Sequence, residues 1–201
     1  LKLETNSMAS EIVVVGTSTG GLKALQTLLS GLTADFRLPV VIVQHRGSTS
    51  ENGLCEFLAQ SSRLPVTEPE DKEPVMSGRA YLAPRDYHLL IENGSFALSV
   101  DPAVAYARPS IDVLFECVAD EYGEKAIGVI LTGANNDGAR GLAKISSQGG
   151  VTLVENPETA ASHEMPRAAL AQTRADWVLP LEEIAPCLNK LVSAVAVHYG
   201  S

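Results

Sequence analysis

Apolar residues fall into two periods along this chain. Short unbroken runs at Ile12 to Val15, Val40 to Val43, Ile127 to Leu131 and Val151 to Val154 read as buried strands. Segments of helical period alternate with them, with Leu22, Leu25, Leu28 and Leu29 after the first run and Leu142 and Ile145 after the third. This alternation predicts an α/β fold: a doubly wound, mostly parallel sheet with helices on both faces. The middle of the chain departs from it. Tyr81 to Ala83, His88 to Ile91 and Phe96 to Val100 are strand-like and closely spaced, and Asn93-Gly94 supplies the chemistry of a tight turn, so a small antiparallel hairpin addition is expected there. Ile111, Leu114, Phe115 and Val118 then form the apolar stripe of a helix with Ser110 as its N-cap. Trp177 to Leu179 reads as a last strand, and Ile184 to Val197 as a closing helix that passes over Pro186.

Composition narrows the setting. A chain of 201 residues with 45% hydrophobic content can bury one substantial core, so residues 11–201 are expected to form a single domain behind a disordered or cloning-derived segment at 1–10. A formal charge of -9 argues against nucleic acid as a partner, because tracking a phosphate backbone requires clustered Lys and Arg. No apolar run approaches the roughly 20 residues that cross a bilayer, so membrane insertion is not expected. Cys55, Cys117 and Cys187 lack the close pairing of zinc or dithiol redox sites and read as buried, reduced thiols of a cytoplasmic protein. His45, His88, His163 and His198 are scattered and no H-E-x-x-H pair exists, so no metal or other cofactor is expected.

Three polar residues stand where open parallel sheets hold their ligands, just beyond the carboxyl ends of predicted strands. Gly16-Thr17-Ser18-Thr19-Gly20-Gly21 satisfies G-x-S-x-G between a strand and a helix, a context in which glycines permit a sharp turn that lifts a serine hydroxyl out of the packing. Capping of the helix by Ser18 or Thr19 is the competing structural reading. A dinucleotide-binding oxidoreductase fits less well, because its fingerprint needs glycine where Ser18 stands and an acid where the second strand ends in Gln44-His45. His45 follows the second strand. Asp137 follows the third in Asn135-Asn136-Asp137-Gly138, where it could instead cap the next helix. Together Ser18, His45 and Asp137 offer a nucleophile, a base and an orienting carboxylate on one sheet edge. Backbone N–H groups of Thr19, or of the turn containing Gly133 and Ala134, are the candidate oxyanion donors. Glu182-Glu183 reads as charge at a helix start, and Arg167 as an ion-pair partner.

An ordered series of motifs carries a family resemblance: Gly16 to Gly21, Gln44-His45, Tyr81-Leu82-Ala83-Pro84, Arg108 to Phe115, Gly128 to Gly133, Asn136-Asp137-Gly138-Ala139 and Met165-Pro166-Arg167. Through these the chain resembles the catalytic domain of the chemotaxis protein-glutamate methylesterase family, commonly called CheB. The resemblance implies a serine hydrolase that demethylates glutamate γ-methyl esters on methyl-accepting chemotaxis receptors, with glutamine deamidation as a related activity. It places the family's triad on Ser18, His45 and Asp137. It also matches a further histidine to His88, which, with Arg108, is expected beside the site, a structural role for His88 being the competing reading. A receiver domain and histidine-kinase pathway proteins are the other implied partners. Arg46 to Ser50 and Ala105-Tyr106-Ala107 depart from the family's usual residues, so receptor contacts are expected to differ there. A nucleotide-binding oxidoreductase and a non-catalytic receptor-docking module stay open as alternatives.

Overall fold

The computed structural model describes residues 10–45, 53–104 and 106–196. The expected N-terminal segment, apart from Ser10, and the Arg46 to Ser50 departure lie outside the described residues. The main sheet has seven parallel strands: β1 (Ile12–Thr17), β2 (Val40–Gln44), β3 (Val66–Thr67), β4 (Ala80–Leu82), β7 (Ala126–Ile130), β8 (Val151–Glu155) and β9 (Trp177–Leu179), in the order β3-β4-β2-β1-β7-β8-β9. Two further strands, β5 (His88–Glu92) and β6 (Ser95–Ser99), pair antiparallel. Asn93 and Gly94 join them, both at positive φ (51° and 73°), as a tight turn of matching twist requires.

The hairpin is therefore as expected, but the Tyr81 to Ala83 segment is not part of it. Ala80–Leu82 enters the main sheet, parallel to β2, and is buried on both faces. Three residues are too few to display a period, so their partner was not legible. The two-residue β3 beside them was hidden for the same reason.

Alternate residues of each central strand feed two cores. Val13, Val15, Val40 and Ile42 pack with Leu25, Leu28 and Leu29 of α1 (Gly21–Gly31), Leu58 of α2 (Leu54–Ala59) and Ile184 and Leu188 of α6 (Leu181–Ala196). Ile12, Val14, Val41 and Val43 face the opposite way, toward α3 (Ile111–Tyr122), α4 (Ala139–Ser147), α5 (Glu164–Gln172) and the hairpin. Leu22, expected in the α1 stripe, is exposed. The three cysteines form no disulfide among the described residues, and they are half-buried rather than buried. Among the described residues no helix is long and apolar enough to cross a membrane.

Strands run outward from β1 in one direction and from β7 in the other. The crevice at such a reversal lies beyond the strand carboxyl ends, and β1, β2 and β7 bring Ser18, His45 and the 131–137 segment to it.

Candidate active site

The turn after β1 is held mainly by one residue of the neighbouring strand's extension. Thr132 accepts from Ser18 N–H (3.0 Å) and Thr17 Oγ1 (2.8 Å) on its carbonyl, while its own Oγ1 donates to Thr19 O (2.8 Å) and accepts from Ser162 N–H (2.8 Å). Its N–H donates to the buried carboxylate of Glu155 (2.8 Å). Neither Ser18 nor Thr19 caps α1: the N-cap is Gly20 in the left-handed region (φ 81°), with no side-chain cap bond. A methyl group on Gly20 would also sit 2.9 Å from Ala161 Cβ, so the sharp turn needs glycine twice over. Ser18 is left half-buried, and among the described residues its hydroxyl has no hydrogen-bond partner.

Across the next strand end, His45 N–H donates to Thr17 O (3.1 Å), and its ring Nε2 lies 2.8 Å from Asp137 Oδ2. The tautomer follows from Asn135. Its Oδ1 accepts from Asp137 N–H (3.0 Å), which fixes the amide and turns Nδ2 toward His45 Nδ1 at 3.1 Å. An amide NH₂ only donates, so Nδ1 carries the lone pair and Nε2 carries the proton that goes to Asp137. The basic nitrogen of this histidine is thus Nδ1.

Asp137 does not cap the helix that follows it, whose N-cap is Gly138. It caps α3 instead. Oδ1 accepts from Ser110 Oγ and Asp112 N–H, both at 2.9 Å, and Oδ2 accepts from Ile111 N–H at 2.7 Å as well as from His45. Burial pushes this carboxyl's pKa up, but the hydrogen bonds from His45, Asp112 N–H and Ile111 N–H outweigh it, and the net shift is downward. The positive end of α3 therefore faces a carboxylate that stays ionised. The capping is reciprocal, since Asp112 at the start of α3 accepts from Gly141 N–H in α4 (2.8 Å) and from Arg140 Nε (3.1 Å). Burial dominates at Asp112 and holds its pKa above the usual carboxylate range.

The remaining candidates separate by what their groups already do. Gly133 N–H is spent on Ser162 O (3.2 Å), and a methyl group there would meet Met165 at 2.6 Å, so Gly133 shapes the turn rather than donating into the site. Thr19 and Ala134 keep backbone N–H groups unspent among the described residues. His88 is buried; its Nδ1 accepts from Ser110 N–H (3.2 Å) and its Nε2 bonds Pro102 O (3.1 Å), so it braces the residue that donates to Asp137. Arg108 is exposed and bonds the carbonyls of Val100 (2.9 Å) and Asp101 (3.1 Å). Arg167 pairs with Glu158 at 3.1 Å on the surface.

Sequence reasoning missed Gln44, Thr132, Asn135 and Glu155. A signal existed: β1, β2 and β8 each end in a buried polar residue (Thr17, Gln44 and Glu155), and buried Thr132 follows β7 by two residues, and all four are at one edge of a sheet whose strands are otherwise almost wholly apolar. A hydroxyl, an imidazole whose lone pair is held only by an amide NH₂, and an ionised carboxylate on neighbouring strand ends can abstract the hydroxyl proton and hold the resulting imidazolium. Among the described residues no cluster of metal-ligating side chains occurs.

Residues 13–188 match the profile of a family described as CheB methylesterase. A Leptospira interrogans protein, provisionally named a protein-glutamate methylesterase/protein-glutamine glutaminase, is 46% identical over 185 residues, covering 92% of this chain and 96% of the relative. A second enzyme of that name from Anaeromyxobacter dehalogenans is 42% identical, but the chain spans only 53% of its length. The crystal structure of the Thermotoga maritima CheB methylesterase catalytic domain superposes with a TM-score of 0.86 at 36% identity, covering 92% of this chain and all of that one.

Proposed function

The chain belongs to the CheB methylesterase family, and from that premise we propose that it hydrolyses glutamate γ-methyl esters on chemotaxis receptors through Ser18, His45 and Asp137. The observation that carries this reading is the bond of His45 Nε2 to the α3-capping carboxylate of Asp137, on a strand end next to the one that presents Ser18. Ser18 Oγ attacks the ester carbonyl while His45 Nδ1 takes its proton. Asp137 holds the ring and offsets the imidazolium charge. The oxyanion of the tetrahedral intermediate is received by the N–H groups of Thr19 and Ala134. His45 then returns the proton to methoxide, methanol leaves, and water, activated by the same nitrogen, releases the glutamate side chain and regenerates Ser18. Glutamine is handled by the same acyl-enzyme with ammonia as the leaving group. To engage Ser18, Nδ1 exchanges its present partner, Asn135 Nδ2, for the serine hydroxyl.

Methanol release from a methylated chemoreceptor signalling fragment tests the proposal, with native protein and Ser18→Ala compared. Release by the native protein that falls by at least about 10³-fold in the variant is expected, since loss of a triad member typically costs several orders of magnitude. Equal release by both would remove Ser18 from the mechanism.

A further inference from the structure

Gln44, the last residue of β2, stands opposite Thr17 in the sheet register and is 8% exposed. Its side-chain NH₂ lies 2.9 Å from the carbonyl oxygen of Ser18 and 2.7 Å from that of His45. Both hydrogens of one amide group are therefore spent on the backbones of the nucleophile and the base. Both partners accept only, so the amide cannot be turned over without setting its oxygen against two carbonyls. The cost of this arrangement is visible at the other end of the group, where buried Gln44 Oε1 has no hydrogen-bond partner among the described residues. It is pressed against the start of α1, and a Cβ at Gly21 would lie only 2.1 Å from it. An apolar side chain of equal length would remove that orphaned acceptor, but it would take both donors from the nucleophile's and the base's carbonyls, leaving Ser18 O with Gly21 N–H alone among the described residues. Packing alone thus does not account for an amide here.

We infer that Gln44 is a positioning residue for the reaction, a two-hydrogen clamp that fixes the separation of Ser18 from His45 by holding their carbonyls. The inference rests on the triad reading above. One other link joins the same strand ends, His45 N–H to Thr17 O, and Ser18 N–H bonds Thr132 O beyond β7, but neither joins nucleophile to base directly. With the clamp gone each residue keeps its own turn while their relative placement relaxes. A misplacement of about 1 Å between reacting groups typically costs about 10²-fold in rate.

The test compares the native chain with Gln44→Glu, which keeps the shape but sets an acceptor against two carbonyls, and Gln44→Met, which removes both bonds and is the less disruptive to folding. Methanol release gives kcat and KM, and the rate of Ser18 modification by a small fluorophosphonate gives nucleophile reactivity without the receptor. Melting temperature reports the fold. We expect kcat and the modification rate to fall together by about 10²-fold in Gln44→Glu and by less in Gln44→Met, with KM within about twofold. The native-to-Glu ratio should narrow as pH falls, because a protonated carboxyl can donate to one of the two carbonyls. Folded Gln44→Met with native kcat and native modification rate overturns the inference. A native chain that reacts with the phosphonate but releases no methanol overturns the substrate reading alone, and the modification rates then decide Gln44. A native chain that does neither overturns both.

Discussion

Replacing Asp137 by Asn should damage stability and activity together, because one carboxylate serves two elements. Oδ1 receives Ser110 Oγ–H and Asp112 N–H, and Oδ2 receives Ile111 N–H and His45 Nε2–H. An asparagine has one oxygen. Whichever way its amide lies, the NH₂ faces a backbone N–H, of Ile111 or of Asp112, that cannot reverse its polarity. A buried donor left unbonded costs about 1–3 kcal/mol. Loss of the negative charge at the α3 N-terminus adds about 0.3–1 kcal/mol. At roughly 2–4 °C per kcal/mol for a domain of this size, the melting temperature should drop by about 3–16 °C. Activity should fall further than stability explains, by about 10⁴-fold in kcat at saturating substrate, because His45 loses its fixed tautomer and its counter-charge. The stability loss also carries a defined pH dependence. The folded-state pKa of Asp137 is depressed, so its contribution is present above the ordinary carboxylate value of about 3.9 and disappears as pH falls through the folded value. The gap in melting temperature between the native protein and the Asp137→Asn variant should therefore close in acid. A variant that melts within about 2 °C of native at pH 7, or keeps about a tenth of the native kcat, would refute the cross-capped triad.

Two further outcomes follow from the same edge of the sheet. Gly21→Ala places a methyl group 2.1 Å from Gln44 Oε1 and 2.6 Å from Thr17 Oγ1. It should cost about 1–3 kcal/mol by overpacking and lower kcat as Gln44 is displaced; calorimetry and methanol release check both, and an unaltered kcat would contradict the clamp. Glu155 is held above the usual carboxylate range by burial first and the Glu182 charge second, against the hydrogen bond from Thr132 N–H. A raised folded-state pKa means the ionised form costs stability above that value and the cost fades as pH falls toward about 4.3. Glu155→Gln should thus melt higher than native at pH 8 with the difference shrinking toward pH 4, whereas a difference independent of pH would show that the charge is not the cause.

Long strands were legible because four or five consecutive apolar residues leave few alternatives, and the edge that carries Ser18, His45 and Asp137 was legible because each follows such a run. The hydrogen-bond partners within that edge were not. Asp137 reads from sequence as the cap of the helix just after it, yet it caps α3, whose start lies more than twenty residues earlier in the chain. Such a partner is set by how α3 and α4 pack and leaves no local trace. Gln44 and Thr132 were passed over for a related reason: a single polar residue after a buried strand is ambiguous until its neighbours' carbonyls are placed. His88 was expected beside the site and sits one bond behind it, through Ser110.

Mass-spectrometric mapping of the residue modified by a fluorophosphonate, with methanol release followed on the same sample, tests the central claim most directly. One adduct is expected, on Ser18, with release lost in proportion to its formation. An adduct on another residue, or full release from protein whose Ser18 is blocked, would contradict the proposed triad.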